Sequence, residues 1–477
     1  MWLLILTDRV RGLIVWVNIY IVWVTMWTPS LEGRNSVKYL AIVEALGDAV
    51  SQGDLRPGDR LPPQRELAWK LGVNLSTVTQ AYREAARRHL VGGEVGRGTY
   101  VLPESREATL FSLKEPRSQD SLDLSTNVPA HQPGNRDLED TLQALIAEGK
   151  LEAAQGYHEP RLLERAGVAG SQWLAQRGLQ VSPASVVPCA GAQQALAAAL
   201  QSICRPGDSV LVEELTFPGM KAVAKQLHLR LVPVPMDAEG CQPEALARAA
   251  ETSDARVVVL VPLLQNPTGA LAGPERCRKL AEVIRQHGLT LVEDDVYGAL
   301  TDLPPLSCHL PEQALLVSSL SKAAVPGVRF GMIAGPSNLI APLREETHAT
   351  TWLLSPLALE LACLWIEDGT VYRRLDWQKG EMLARWKLAR RILPVPPDAP
   401  PAPHLWVPVT EDAEAVAERC RRQRVEVVAS RTFAVRRDVP QGLRLSLTTP
   451  ATRADLQQAL ARVAEVLSSL SVIGQTF

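Results

Sequence analysis

The sequence predicts an α/β protein: a small helical module followed by a larger domain built on a mainly parallel sheet. Residues 34–102 read as three helices and a glycine-rich hairpin. From Asp123 onward, apolar strand-like runs alternate with helical ones, which is the pattern of a sheet covered on both faces. A third observation is chemical: Ser319-Leu320-Ser321-Lys322, followed by Arg329, sits just past one of those strands.

The bulk numbers set the limits. With 477 residues, 46% hydrophobic and 21% charged, the chain can fill two or three cores and is neither fibrous nor disordered. Its net charge of −2 gives no global pull toward nucleic acid. Residues 34–101 carry ten Lys/Arg against seven Asp/Glu, a local balance of +3 that permits DNA binding without demanding it. Seven scattered cysteines with no C-x-x-C pair argue against a disulfide framework or a zinc site and fit a reducing cytoplasm. No metal is expected.

Residues 1–33 form an apolar extension. Gly12 to Trp27 is almost wholly apolar and falls just short of the roughly 18–20 residues of a membrane span. It reads as a marginal signal anchor, as a packed or interfacial segment, or as sequence ahead of a true start at Met26. The last is favoured, because the folded helical module begins shortly after Met26.

The elements follow in order. Val37–Gln52 places Tyr39, Ile42, Val43, Leu46, Ala49 and Val50 on one helical face. Pro62-Pro63-Gln64 leads into a short helix over Arg65–Leu71. After the Gly72-Val73-Asn74 turn, Ser76 or Asn74 caps a third helix running to about His89. Leu90–Val101 alternates around glycines as a hairpin does. Together these make a winged helix-turn-helix, whose third helix enters the major groove. Residues 103–122 are polar and aperiodic, a linker or an ordered strap.

In the domain over 123–477, strands are expected at Val186–Val187, Ser209–Val212, Leu229–Val234, Arg256–Val261, Thr290–Val292 and Ala314–Val317. Helices are expected at Ala192–Ser202, Gly219–Leu227 and Pro274–His287. Past Ile340 helices dominate. Strands at Leu405–Val409, Val425–Val428 and Leu443–Leu447 then suggest a smaller α/β subdomain.

Five motifs in this order fit one chemistry, a lysine holding pyridoxal phosphate as an imine. Gly191-Ala192-Gln193 opens a helix, whose N-terminal amides suit a phosphate. Asn266, in Gln265-Asn266-Pro267-Thr268-Gly269, can donate to the ring oxygen. Asp294, in Glu293-Asp294-Asp295-Val296-Tyr297, can keep the ring nitrogen protonated, and Tyr297 can donate to the ring oxygen. Ser319 and Arg329 would reach the phosphate around Lys322. Arg444, between apolar neighbours on an expected strand, would take a carboxylate. Each motif alone is a weak signal, since lysines, turn glycines and acidic turns are common. Their conjunction is specific.

Together with Gly58-Asp59-Arg60-Leu61-Pro62-Pro63-Gln64-Arg65-Glu66-Leu67-Ala68, Thr77-Val78-Thr79-Gln80-Ala81-Tyr82 and Gly96-Arg97-Gly98-Thr99-Tyr100-Val101, these residues make the chain resemble the MocR subfamily of GntR-type regulators. The resemblance covers about Trp27 to Leu470. It implies a winged helix fused to a fold-type I aminotransferase-like domain, and a head-to-tail homodimer that binds operator DNA. In that family pattern Lys322 is the imine lysine, Asp294 the acid at the ring nitrogen, and Asn266 and Tyr297 the ring-oxygen partners. Ala192, Gln193, Ser319 and Arg329 form the phosphate cup, and Phe217 stacks on the ring. Tyr157 reaches the neighbouring subunit's phosphate, and Arg444 binds an effector carboxylate. Arg65, Ser76, Thr77, Thr79, Arg83 and Arg97 face DNA. Leu75, where this family often has arginine, and Phe217, without the common tyrosine hydroxyl, depart from the pattern.

Two functions fit. One is a cytoplasmic regulator in which an amino acid or amine effector forms an imine at Lys322 and alters DNA binding. The other is a working aminotransferase, of the 2-aminoadipate or aromatic type, with an accessory winged helix.

Overall fold

A computed structural model describes residues 27–31, 37–52, 54–55, 59–87, 90–94, 98–101, 121–157, 160–351, 353–436 and 440–473. The apolar stretch up to Met26, His89, wing residue Arg97 and most of the expected linker lie outside the described residues. Chain contacts divide into two units, Met1–Glu104 and Ser105–Phe477.

In the first unit, α1 (Lys38–Gln52), α2 (Gln64–Leu71) and α3 (Leu75–Arg87) precede a hairpin of β1 (Val91–Glu94) and β2 (Gly98–Val101). The apolar stripe expected of α1 is buried: Ile42 and Leu46 pack with Leu67 of α2 and Val78 and Ala81 of α3. Gly72 ends α2 in the left-handed region at φ 61°, and its N–H caps the Ala68 and Trp69 carbonyls. The Asn74 carbonyl accepts from the N–H of Thr77 and of Val78. Asn74 therefore stands at the start of α3 and Ser76 lies inside it. The Tyr82 hydroxyl donates to the Pro62 carbonyl at 2.7 Å and fastens α3 to the turn before α2. Trp27 and Leu31 pack against this core.

The second unit is built on a seven-stranded sheet. Its strands are β4 (Val186–Cys189), β5 (Ser209–Glu213), β6 (Arg230–Val234), β7 (Val257–Leu260), β8 (Thr290–Asp294), β9 (Ala314–Ser319) and β10 (Gly331–Ala334), in the spatial order β4-β10-β9-β8-β7-β5-β6. All pairs are parallel except those of β10, which runs antiparallel to β4 and β9. β10 has no counterpart among the expected strands. The strand cores are apolar runs because both faces are covered: every residue of β4, β7, β9 and β10 is buried. At roughly 1.5–3 kcal/mol per buried aliphatic side chain, such runs offset the cost of the buried charges at the strand ends.

Helices α4 (Ala192–Ile203), α5 (Pro218–Gln226) and α6 (Pro274–Gln286) fall within a residue or so of expectation. Helices Asp137–Ala147 and Pro160–Gln176 precede the sheet and were not foreseen. A smaller antiparallel sheet pairs His404–Pro408 with Gly442–Ser446, and Gly442–Ser446 with Val428–Ala429. The single strand expected over Val425–Val428 is two short ones. Val425–Glu426 pairs instead with β3 (Leu122–Asp123), in parallel. Leu122, placed at the end of the linker, is thus already part of the folded unit.

Candidate functional site

Lys322, Asp294, Asn266, Phe217 and Gly191 all follow, or end, sheet strands at one edge, the carboxyl ends where α/β sheets open a crevice. There β4, β5 and β7 turn back into covering helices, whereas β9 turns back into the antiparallel β10.

Lys322 follows β9. Its ammonium donates to the Asn127 carbonyl oxygen, and it lies 5.8 Å from the Tyr297 ring centre. Burial pulls its pKa down to about 8; the Arg444 and Arg329 charges add to the shift and Asp294 opposes it. A lysine so placed spends far more of its time as the free amine than an exposed one. Asp294 ends β8 and accepts from the Val296 N–H at 3.1 Å. Burial raises its carboxyl to about 7, against the Val296 hydrogen bond and Lys322. Its ionised form is disfavoured until a cation faces it, which suits a protonated ring nitrogen.

Arg444 lies on the small sheet and is 5% exposed. Its Nη1 donates to Asn266 Oδ1 at 3.2 Å, its Nη2 donates to the Ser125 carbonyl, and the guanidinium sits 5.1 Å over the Phe433 ring. Burial lowers its pKa to about 10, and Nε is buried without a partner among the described residues. Arginine only donates, so Asn266 must turn its oxygen to Arg444 and keeps its amide N–H groups for something else.

The turn around Gly191 is built by close approach. Gly191, at φ 87°, precedes α4, and a Cβ there would stand 2.3 Å from Arg329 Nη2. Arg329 itself holds a left-handed φ of 54° and donates to the Ala190 carbonyl at 3.4 Å. A Cβ on Gly331 of β10 would meet the Gly191 backbone at 2.5 Å, so β10 presses the Gly191 turn into place. The Ser319 hydroxyl accepts from the Ser321 N–H at 2.9 Å and pairs with the Ser321 hydroxyl at 2.8 Å. Ala192 and Gln193 form the first turn of α4, and Gln193 Nε2 donates to the Gly219 carbonyl at 2.9 Å. Phe217 is half-buried at the start of α5. Tyr157, at 80% exposure, stands clear of this cluster within the single chain.

On the winged helix, Arg65, Ser76 and Arg83 are exposed, and Thr77 and Thr79 are half-buried. The Thr79 hydroxyl donates to Gln64 Oε1 at 2.8 Å, joining α3 to α2.

Residues 119–463 match the family described as aminotransferase class I and II, and residues 38–101 match the bacterial regulatory proteins of the gntR family. The chain belongs to the aminotransferase class I and II family. It carries a GntR-type winged helix in front of that domain, the combination that marks the MocR type. It is 27% identical over 452 residues to an uncharacterized HTH-type transcriptional regulator of Bacillus subtilis, YdeF, covering 93% of this chain and 97% of that one. It is 28% identical to the vitamin B6 salvage pathway transcriptional repressor PtsJ of Salmonella typhimurium, over 88% of this chain and 98% of that one. Its fold is that of an archaeal alanine:glyoxylate aminotransferase, with a TM-score of 0.68 at 18% identity over 73% of this chain and 91% of that one.

Pyridoxal phosphate is the cofactor of such a class I and II domain, and the residues present fit it. Gly191 has no Cβ to clash with the Arg329 guanidinium held against the turn, burial raises the Asp294 carboxyl despite the Lys322 charge, and Arg444 Nε lacks an acceptor among the described residues. Two further residues belong to the site without having been foreseen. Asn127, 4% exposed, contacts Lys322, Tyr297 and His404 at once. His404, 1% exposed, meets the Tyr297 ring edge-on at 5.4 Å. The one trace of His404 in the sequence is a lone histidine heading an apolar strand. Asn127 leaves none. No group of metal-ligating side chains occurs among the described residues, and no helix among them is long and apolar enough to cross a membrane.

Proposed function

We propose that this protein is a cytoplasmic, pyridoxal-phosphate-dependent transcriptional regulator whose DNA affinity answers to an amino acid or amine. The conjunction of a half-buried, free-amine-prone Lys322 with a GntR-type winged helix on one chain carries the reading. Pyridoxal phosphate supplies an aldehyde that condenses with primary amines and a ring that withdraws electrons. Lys322 would hold it covalently, Asp294 would keep a proton on its ring nitrogen, and Asn266 and Tyr297 would donate to its ring oxygen. Ala192, Gln193, Ser319 and Arg329 would bind the phosphate, Phe217 would cover the ring, and Tyr157 would reach the second subunit of a head-to-tail homodimer. Arg444 would take the effector's carboxylate, which makes an amino acid the favoured effector class.

Arg65, Ser76, Thr77, Arg83 and wing residue Arg97 would contact operator DNA, with phosphate contacts setting register and α3 reading bases. Thr79 would support α3 through Gln64 as well as face the duplex. For effector and operator to be coupled, the effector must bind two states of the protein unequally.

The test is a gel-shift on the duplex upstream of the protein's own gene, with and without pyridoxal phosphate and an amino-acid panel, beside a half-transamination assay. An effector-dependent change in DNA affinity is expected. Turnover with no DNA binding overturns the proposal in favour of a working aminotransferase.

A further inference from the structure

The side chains behind Lys322 form one hydrogen-bonded chain whose direction is set from its far end. His404 places Nε2 2.8 Å from the Gln265 carbonyl oxygen and Nδ1 3.1 Å from Asn127 Nδ2. A carbonyl oxygen only accepts, so Nε2 carries the hydrogen. Burial, reinforced by the Arg444 and Lys322 charges, lowers the imidazole to about 3, so the ring is neutral and Nδ1 is a bare acceptor. Asn127 must then turn its NH2 group, not its oxygen, toward His404. The second hydrogen of that NH2 meets the Tyr297 hydroxyl oxygen at 3.1 Å. A phenol that already accepts there has its own hydrogen left to give.

We propose that His404 and Asn127 are positioning residues that together fix the Tyr297 hydroxyl as a hydrogen-bond donor to the cofactor's ring oxygen. This role holds only if the Lys322 site takes pyridoxal phosphate, as proposed above. Asn266 is oriented by the same logic from the other side, because Arg444 claims its oxygen. Two donors therefore serve one acceptor, each made a donor by a neighbour that cannot reverse: an arginine in one case, a neutral histidine pinned by a carbonyl in the other. The Gln265 carbonyl that pins His404 precedes Asn266 directly, so the two orienting systems share one turn. Asn127 also ties the relay to Lys322, through its backbone carbonyl.

The first measurement uses the unsubstituted, ligand-free protein with ¹⁵N-labelled histidine. His404 is expected as the Nε2–H tautomer, neutral throughout the neutral pH range. An Nδ1–H tautomer overturns the relay. The second compares pyridoxal phosphate affinity, by absorbance titration, in Asn127→Asp and Asn127→Ala. Asn127→Asp keeps the shape but replaces the donor by an acceptor; Asn127→Ala leaves a void. If the relay operates, Asn127→Asp loses more affinity, roughly tenfold against roughly threefold for Asn127→Ala. A packing role alone gives the reverse order, and that order overturns the relay.

The third places Asn127→Asp on Tyr297→Phe. The penalty is expected to shrink to about twofold or less, because the hydroxyl it acts through is gone. A penalty that persists in full marks a direct charge effect and overturns the relay. An unsubstituted protein that takes up no pyridoxal phosphate overturns the proposed function along with it. Uptake with the wrong tautomer or the wrong order overturns the relay alone.

Discussion

Arg65 and Arg83 of the winged helix stand in solvent, whereas Arg444 of the larger unit is 5% exposed, with one nitrogen lacking a partner among the described residues. On the proposed function the same side chain would serve two different purposes. On α2 and α3 arginine is a surface charge with its hydration intact, ready to exchange water and counterions for phosphate. At Arg444, burial has already removed water, so an arriving carboxylate meets a group whose desolvation was completed during folding. Lys322 and Asp294 follow the second pattern: burial displaces both toward neutrality, the lysine down to about 8 and the acid up to about 7. On the proposed function, DNA recognition would be carried by what lies on a face, and cofactor and effector recognition by what has been taken off one. Substitutions should separate the two cleanly.

The largest effect is expected at Lys322. Lys322→Ala removes the only covalent hold proposed for the cofactor, so pyridoxal phosphate should be lost on gel filtration and borohydride should trap no adduct. DNA binding without effector should persist; its loss would mean that the two units do not separate as the comparison implies. Next comes Asp294→Asn, which keeps the shape but cannot accept the ring-nitrogen proton as an anion. A hydrogen bond to a charged group contributes about 1.5–3 kcal/mol, so cofactor affinity should fall roughly ten- to hundredfold in absorbance titration.

Arg444→Leu sharpens the contrast further, because it tests a ligand effect and an electrostatic one together. Effector affinity should drop about tenfold or more for amino acids and much less for amines without a carboxylate. The free-amine form of Lys322 should rise through pH about 8 in the ligand-free protein, seen as the rate of capture of added pyridoxal phosphate. Removing the Arg444 charge should move that midpoint upward. The same displacement has a stability sign. Lys322 binds its proton less tightly folded than unfolded, so between about 8 and its ordinary value of 10.5 the unfolded chain holds more protons, and stability rises with pH across that window.

The two regions also differ in what the sequence disclosed. The winged helix was legible almost element by element, because α1 has a clean apolar stripe and its turns carry Gly72 and Asn74. The parallel strands were legible as buried runs. β10 was not: Gly331-Met332-Ile333-Ala334 is short, follows an arginine and a phenylalanine, and is a strand only because β4 and β9 pair with it on both sides. Tertiary pairing, not local pattern, made it. Asn127 and His404 escaped for the same reason. Asn127 touches residues 170 and 277 positions away, and no spacing within Thr126-Asn127-Val128-Pro129 announces that. Lys322, Asp294, Asn266, Tyr297 and Arg444 stood out by their conjunction in a fixed order along the chain, not by any one residue type. What was not visible was the burial that gives them their chemistry.

The smallest effect should come from the exposed face, and it is the one that distinguishes position from recognition there. Arg83 is solvent-facing on α3, one turn beyond Thr79, whose hydroxyl is already engaged by Gln64. If Arg83 contacts phosphate, Arg83→Ala should weaken binding several-fold to every duplex alike. It should also reduce the slope of log affinity against log salt by about 1. Ser76→Ala, nearer the start of α3, should instead alter the ratio between operator and random duplex while leaving the salt slope unchanged, because a base contact releases no counterion. Fluorescence anisotropy on the two duplexes at several salt concentrations measures both quantities. Neither substitution should move the Lys322 absorbance titration, since a residue in full solvent has no desolvation to pass on to the buried site; a shift in that titration would break the division between the two regions.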